Sequence, residues 1–330
     1  RDLTIEAVTD ADGTAIPYTL ADAEDWMGSR LTVDRPAGTQ VIRIRYATSA
    51  EASALQWLEP RHTAGKVHPY MFSQCQPHHA RSIVPIQDSP RVRFGYTAEI
   101  TVPEALTAVM SAAPGVARAG DEAGTKTLTF EMPQPIPSYL LALAVGNIAG
   151  KELGPRSTVY TEPEMLDDCA WEFADIDKML LAAEALFGPY RWDRFDFLVM
   201  PPAFPYGGME NPRLTFLTPT LVAGDRSLVN VLAHELAHSW TGNLVTNATM
   251  NDFWLNEGFT VWAERRIIEA LYGAEAMAMA AAIGRHGLDQ AVANFGEDSE
   301  YTRLENDLEG VDPDSVYSVV PYEKGYLLVT

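Results

Sequence analysis

The chain has 330 residues, 47% of them hydrophobic, which is enough to bury sizeable cores and to form two domains. Its formal net charge of −21 excludes nucleic acid as a partner, because the phosphates would be repelled. No apolar run reaches the length of a membrane-spanning helix, so we expect no membrane partner. Two cysteines are too few for a disulfide framework and favour a reducing compartment, which predicts a cytoplasmic location.

The first part of the chain shows the period-two alternation of half-buried strands. Residues 41–46, 92–100 and 125–132 alternate in this way, and turn clusters separate the runs. This pattern predicts an antiparallel β domain over residues 1–149. The alternation is already present at Arg1, and the last residues lie inside an apolar run. We therefore expect a piece of a longer protein, truncated at both ends.

Beyond residue 149 the apolar period changes to about 3.6, which predicts a second domain of mixed helix and strand over residues 150–330. Apolar residues at helical spacing run from 163 to 187 and predict a helix that ends at Gly188. Residues 195–200 and 213–217 predict buried strands. After residue 225 the pattern is mostly helical.

The chemistry of the chain is concentrated in the sequence His-Glu-Leu-Ala-His at positions 234–238. On a helix, His234 and His238 lie one turn apart on one face, so that both imidazoles can bind one tetrahedral Zn²⁺. Glu235 is better placed for a water on the metal than for the metal itself. Burying these three side chains without a partner costs several kcal/mol, and a metal removes that cost.

Apolar neighbours such as Leu232 and Leu236 predict the helix that carries this motif. Asp225 or Ser227 is suited to its N-cap, and Gly242 is suited to its end. The alternative is an ordinary polar helix face, but the rest of the helix is apolar.

A catalytic zinc site needs a third protein ligand. Glu257 follows His238 by nineteen residues, and Asn251 or Asp252 is suited to cap a second helix that carries Glu257 in its first turn. Glu264 lies on the same face and can accept a hydrogen bond from a ligating histidine. A surface charge is an equal alternative for Glu264.

The motifs together resemble those of the M1 zinc aminopeptidases (gluzincins), most closely the branch that contains leukotriene A4 hydrolase and aminopeptidase B. The matching segments are Ser-Gln-Cys-Gln at 73–76, Pro-Tyr-Gly-Gly-Met-Glu-Asn at 205–211, the zinc motif continued to 246, Trp-Leu-Asn-Glu-Gly at 254–258, and residues 312–325. The resemblance implies an α+β fold, in which an antiparallel, sandwich- or saddle-like β domain precedes a thermolysin-like α/β zinc metallopeptidase domain. The active site would lie in the cleft between them.

The resemblance also implies roles for individual residues. Glu235 would be the general base toward water activated by one Zn²⁺ per chain, and Tyr322 would stabilise the oxyanion. Glu210, assisted by Gln76, would bind the free amine of a peptide, so that one residue is removed at a time. The residues lying along the peptide backbone would be Gly207, Gly208 and Met209.

Asp314 and Tyr317 match a pocket that the leukotriene hydrolase uses for epoxide opening, and Asp314 also suits basic side chains. An Asp-Pro-Asp run is otherwise an ordinary turn. His78 and His79 have no ligand spacing to the zinc motif, and we interpret them as loop residues.

The sequence predicts a zinc aminopeptidase and leaves three alternatives. The first is a bifunctional aminopeptidase and epoxide hydrolase. The second is an endopeptidase, for which Glu210 would be incidental. The third is a non-catalytic peptide-binding protein, against which the complete ligand set argues. The preferred first residue, basic or small, stays open, and nothing in the sequence specifies an oligomeric state.

Overall fold

The computed structural model describes residues 1–330 and begins with a domain built from strands. Its strands are β1 (Thr4–Thr9), β2 (Tyr18–Leu20), β3 (Leu31–Val33), β4 (Arg43–Ala47), β5 (Leu55–Leu58), β6 (Tyr70–Ser73), β7 (Arg93–Pro103), β8 (Thr107–Met110), β9 (Ala113–Pro114), β10 (Arg118–Ala119), β11 (Thr125–Pro137) and β12 (Leu143–Gly146). Every pairing among them is antiparallel, as predicted.

Two four-stranded sheets form most of this domain. One has the order β10-β11-β7, with β9 also paired to β11, and the other has the order β5-β6-β12-β8. The long pairing of β11 with β7 contains a bulge between Met132 and Ile136, which bends the strands. The predicted strands at 92–100 and 125–132 are confirmed, and the one at 41–46 begins two residues later.

A five-stranded sheet forms the second part of the chain. Its strands are β13 (Ala149–Gly154), β14 (Ser157–Thr161), β15 (Phe197–Val199), β16 (Gly208–Met209) and β17 (Thr215–Leu217). In the order β13-β14-β15-β17-β16, the three central strands are parallel and both edge strands are antiparallel. The mixed sheet confirms the predicted α/β character, whereas the domain boundary at residue 149 stays a prediction.

The helices are α1 (Leu166–Glu172), α2 (Ile176–Phe187), α3 (Val229–Ala237), α4 (Phe253–Tyr272), α5 (Ala274–Phe295) and α6 (Val320–Val329). None of them combines the length and the apolar character that crossing a membrane requires. One apolar core, containing Tyr70 and Phe72 as well as Leu198 and Leu236, extends through both parts of the chain.

The single helix predicted over residues 163–187 is wrong, because the structure divides it. A 3-10 turn, Pro163–Met165, precedes α1. Helix α1 ends at Glu172, and α2 begins at Ile176. The buried carboxylate of Glu172 accepts hydrogen bonds from the backbone N–H groups of Gly224 and Arg226 at 2.8 and 2.7 Å. The side chain of the next residue, Phe173, is also buried. These two buried side chains coincide with the break between the helices.

Helices α4 and α6 approach each other at two glycines. A Cβ atom added to Gly325 would lie 2.7 Å from the Cα of Gly258, and one added to Gly258 would lie 2.6 Å from the Cα of Gly325. Neither position accepts a side chain unless the helices separate. Glu257 precedes Gly258, and Tyr322 lies one turn before Gly325, so this contact brings both side chains to the same region.

Candidate zinc centre and substrate cleft

Helix α3 presents the zinc motif, but its ends differ from the prediction. It begins at Val229 without a side-chain cap, because Asp225 instead accepts the N–H of Ser227 (2.9 Å) in the preceding turn. It ends at Ala237, with His238 as the C-cap, and does not continue to Gly242. The chain turns there, and the ring of His238 reaches the carbonyl of Thr241.

Helix α4 presents the predicted third ligand. A 3-10 turn, Met250–Asp252, precedes the helix, and Asp252 occupies its N-cap without a side-chain cap bond. Glu257 is therefore the fifth helical residue and lies in the second turn, not in the first as predicted. Its side chain is 3% exposed and faces α3.

Three candidate ligand atoms converge between these two helices. The Nε2 atoms of His234 and His238 are 3.2 Å apart, and the Oε2 atom of Glu257 lies 3.3 Å from each of them. All three side chains are largely buried. The predicted ligands are therefore brought together around one point.

The partners of the Nδ1 atoms determine what the converging atoms can do. Nδ1 of His234 donates to Oε2 of Glu264 at 3.0 Å, and Nδ1 of His238 donates to the carbonyl of Thr241 at 2.9 Å. In each neutral imidazole Nε2 is then an acceptor. Oε2 of Glu257 is also a buried acceptor without a hydrogen-bond donor. Three buried acceptors facing one another fit a cation, and two imidazoles with one carboxylate fit Zn²⁺.

In the absence of a cation, the histidines are protonated more readily than usual and Glu257 stays ionised. Burial disfavours the charged form of His238, but the carboxylates of Glu257 and Glu210 outweigh it and raise its pKa to about 9. Burial opposes ionisation of Glu257, but the imidazoles of His238 and His234 outweigh it and lower its pKa to about 2. Both shifts show that the site stabilises positive charge.

A cleft of about 290 Å³ opens next to these atoms, and all thirteen predicted site residues line it. Glu235 is buried, and burial raises its pKa to about 8, as expected of a group that can take up a proton near neutral pH. A Cβ on Gly208 would overlap the carboxylate of Glu235, whereas a Cβ on Gly207 would lie 3.7 Å from Val231. Close packing thus requires glycine only at Gly208.

Of the two residues predicted to bind the amine, Glu210 directly follows strand β16 and Gln76 lies in the loop after β6. Glu210 is 4% exposed, and burial raises its pKa. Its Oε1 atom accepts a long hydrogen bond of 3.5 Å from Nε2 of Gln76, and its backbone carbonyl accepts from Nδ2 of Asn243 at 2.9 Å. The neighbouring Met209 accepts from Nε2 of Gln74 through its sulfur atom (3.1 Å).

Two tyrosines, Tyr317 and Tyr322, also line the cleft. The ring of Tyr322 stacks on His234 with a centroid distance of 5.9 Å, and its hydroxyl lies 3.2 Å from that of Tyr317. Burial raises the pKa of Tyr322 well above its ordinary value, so that the hydroxyl stays protonated and can donate. The catalytic and binding roles of these residues stay predictions.

His79 lies in a turn, as its interpretation as a loop residue predicts, but its side chain has a partner that the sequence does not indicate. Its Nε2 atom lies 2.7 Å from Oδ2 of Asp314, at the wall of the cleft. The two residues are 235 positions apart, and no local pattern in the sequence points to their contact. His78 makes no contact with the predicted ligands and stacks on Trp26.

Comparisons with known families and proteins agree with this geometry. The profile of the Peptidase family M1 domain matches residues 171–330, and that of the Peptidase M1 N-terminal domain matches residues 18–140. Leukotriene A-4 hydrolase of Xenopus laevis is 49% identical over 335 residues, which cover 100% of this chain and 55% of that protein. Leucine aminopeptidase 2 of Pyricularia oryzae is 47% identical over 313 residues, which cover 92% and 50%. The chain spans about half the length of the curated relatives it matches.

Solved structures show the same likeness. Yeast LTA4 hydrolase in complex with bestatin matches with a TM-score of 0.91 and 41% identity over 99% of this chain and 51% of that one. An M1 zinc metallopeptidase from Deinococcus radiodurans matches with a TM-score of 0.68 and 23% identity over 98% and 71%, which is a likeness of fold.

Proposed function

Because this chain belongs to the M1 peptidase family, we propose that it is the zinc-binding half of an aminopeptidase that removes single residues from the N-termini of peptides. The observation that carries the proposal is the short distance between the predicted amine-binding carboxylate and a predicted metal ligand. Atoms of Glu210, Glu235 and His238 lie within 4.8 Å of one another, so a buried carboxylate for an amine adjoins a metal ligand. Such a short distance leaves room for about one residue between a bound amine and the carbonyl that is attacked.

His234, His238 and Glu257 would hold the zinc ion, which supplies Lewis acidity that activates water and polarises the scissile carbonyl. Glu235 would accept a proton from the attacking water and deliver it to the departing amine, and its raised pKa suits both steps. Tyr322 would donate a hydrogen bond to the oxygen that develops negative charge.

Recognition of the amine explains the exopeptidase specificity. Glu210 is buried and would be paired with the substrate's ammonium group, a charge-assisted contact. Oε1 of Gln76 would accept a second hydrogen bond from the same group. A peptide with a blocked amine would leave the buried carboxylate unpaired, which is strongly unfavourable.

Release of the first amino acid tests the proposal, using the full-length protein and two peptides that differ only in N-acetylation. We expect cleavage of the free peptide alone, loss of activity with a zinc chelator and recovery on adding Zn²⁺. Glu235→Gln should bind zinc and lose turnover. Cleavage of both peptides would support an endopeptidase instead. If neither peptide is cleaved while zinc is bound, the non-catalytic alternative is favoured.

A second candidate is hydrolysis of a lipid epoxide in the same cleft. It is favoured by the 3.2 Å distance between the hydroxyls of Tyr317 and Tyr322, together with the similarity to a leukotriene A-4 hydrolase. A fatty-acid epoxide would be offered to the full-length protein and to its Tyr317→Phe variant. Turnover by the unmodified protein that is lost in the variant while peptidase activity persists would support the second activity, and no turnover would contradict it.

The cytoplasm is the proposed location. Cys75 and Cys169 are both unpaired and buried, which agrees with a reducing compartment. Measuring the distribution of the full-length protein between cell fractions tests this proposal.

A further inference from the structure

His79 is firmly fixed to the N-terminal β domain. Its backbone N–H donates to the carbonyl of Cys75 at 2.8 Å, and its carbonyl accepts from the hydroxyl of Ser82 at 2.8 Å. Its ring Nδ1 lies 2.9 Å from Oγ of Ser53. The side chain is 19% exposed. Backbone and ring are therefore both held in place before any contact with the second domain is considered.

The other ring nitrogen of His79, Nε2, reaches Asp314, which lies in a segment with few hydrogen bonds to the rest of the protein. Asp314 belongs to a 3-10 helix, Pro313–Val316, that contains no buried residue. Within residues 309–318, the bond from His79 to Asp314 is the only hydrogen bond or ion pair to a residue before position 300. Tyr317 also links this segment to the cleft, through ring contacts with Tyr206 and Tyr322 and through its hydroxyl, which lies 3.2 Å from that of Tyr322. Removing the imidazole would remove the one hydrogen bond that holds the carboxylate of Asp314.

The bond to His79 leaves other acceptor positions of the Asp314 carboxylate available. The carboxylate accepts, so Nε2 of His79 donates, and Nδ1 of the neutral ring then accepts from the hydroxyl of Ser53. The histidine uses one of the roughly four acceptor positions of the carboxylate, and the others remain available. Asp314 is 39% exposed and lines the cleft, away from the carboxylates of the zinc motif.

We propose that His79 is a positioning residue, which fixes the carboxylate of Asp314 at the wall of the cleft and thereby favours peptides whose first side chain is cationic. This inference rests on the proposed aminopeptidase function and on the suitability of Asp314 for basic side chains, and it adds the residue that holds this carboxylate in place. A carboxylate held in one place can pair with a guanidinium group at no further ordering cost, whereas one on a loose segment must first be ordered.

The test compares kcat/KM of the zinc-loaded, full-length protein for two peptides that differ only in the first residue, Arg or Ala. In His79→Ala, the Arg-to-Ala ratio of kcat/KM should fall about tenfold, the size of one lost charge-assisted hydrogen bond. His79→Gln keeps a donor at the position of Nε2 and should restore most of the ratio. His62→Ala, at an exposed histidine outside the cleft, serves as the matched control and should leave the ratio unchanged.

A double-mutant cycle separates positioning from a general effect on stability. Asp314→Asn should lower the ratio by a similar factor, and adding His79→Ala to it should lower the ratio no further, because His79 acts through Asp314. If His79→Ala lowers the melting temperature, His79→Phe repeats the test with the space filled and no donor.

The outcomes distinguish this inference from the function on which it rests. If His79→Ala lowered kcat/KM equally for both peptides, the positioning role would be overturned while the aminopeptidase function stayed intact. The same would follow if the double variant lowered the Arg-to-Ala ratio a further tenfold. If the unmodified protein cleaves neither peptide, the proposed function fails and the inference fails with it.

Discussion

Replacing Glu264 should weaken zinc binding although this residue does not touch the metal position. Its Oε2 atom accepts the Nδ1 proton of His234 at 3.0 Å and thereby leaves Nε2 as the acceptor that faces Glu257. Loss of such a partner typically costs tenfold to a hundredfold in metal affinity, or about 1.4 to 2.8 kcal/mol. The side chain of Glu264 is only 11% exposed, so water replaces it poorly, and we expect Glu264→Ala to approach a hundredfold.

Glu264→Gln should show a smaller effect, about tenfold, because its amide oxygen can still accept the Nδ1 proton while the negative charge is lost. The zinc dissociation constant would be measured by competition with a chelating dye at constant pH. Glu269→Gln is the control on the same helix, since Glu269 pairs with Arg266 and does not line the cleft. Thermal unfolding of each zinc-free variant would show whether the fold is retained.

The reasoning would be refuted if Glu264→Ala bound zinc within twofold of the unmodified protein. It would also be refuted if Glu269→Gln lost as much affinity as the Glu264 variants, because the effect would then not depend on the bond to His234.

Three further predictions concern the same cleft. Tyr322→Phe should lower kcat by about 10²- to 10³-fold with little change in KM, as measured by steady-state kinetics, and an unchanged kcat would contradict its role as donor. Gly325→Ala should separate α6 from α4 and lower kcat at least about tenfold with zinc still bound, whereas Leu328→Ala, at an exposed position of α6, should have no effect. Without zinc the pKa of His238 is about 9 and that of His234 is also raised, so zinc must displace protons from both; its affinity should fall at least about a hundredfold from pH 8 to pH 6, and a constant affinity would contradict this.

Those parts of the fold and site that depend on local spacing were predictable from the sequence. The period-two runs predicted the antiparallel strands, and the four-residue spacing of His234 and His238 predicted their position on one helix face. The family resemblance is confirmed by the two matching M1 profiles. It also selected Tyr322 from thirteen tyrosines, which no spacing rule could have done.

The features that sequence reasoning missed depend on tertiary contacts. The bond between His79 and Asp314 joins residues 235 positions apart, and neither has a neighbour in the sequence that reveals it. The helix break after Glu172 coincides with a buried carboxylate whose partners, the backbone N–H groups of Gly224 and Arg226, lie on a distant loop. Helix periodicity alone contains no information about such partners.

The bond from Asn243 to the backbone carbonyl of Glu210 also has a consequence for the length of the substrate. It ties the end of strand β16 to the loop after the zinc helix, and so fixes the interval between the amine-binding carboxylate and the metal ligands. A β-amino acid in first place has one extra backbone atom, which would carry its carbonyl about an ångström too far, and a misplacement of that size can cost about a hundredfold in rate. The proposed enzyme would thus select substrates by the number of backbone atoms between the amine and the carbonyl. Peptides that begin with a β-amino acid would be cleaved poorly whatever their first side chain.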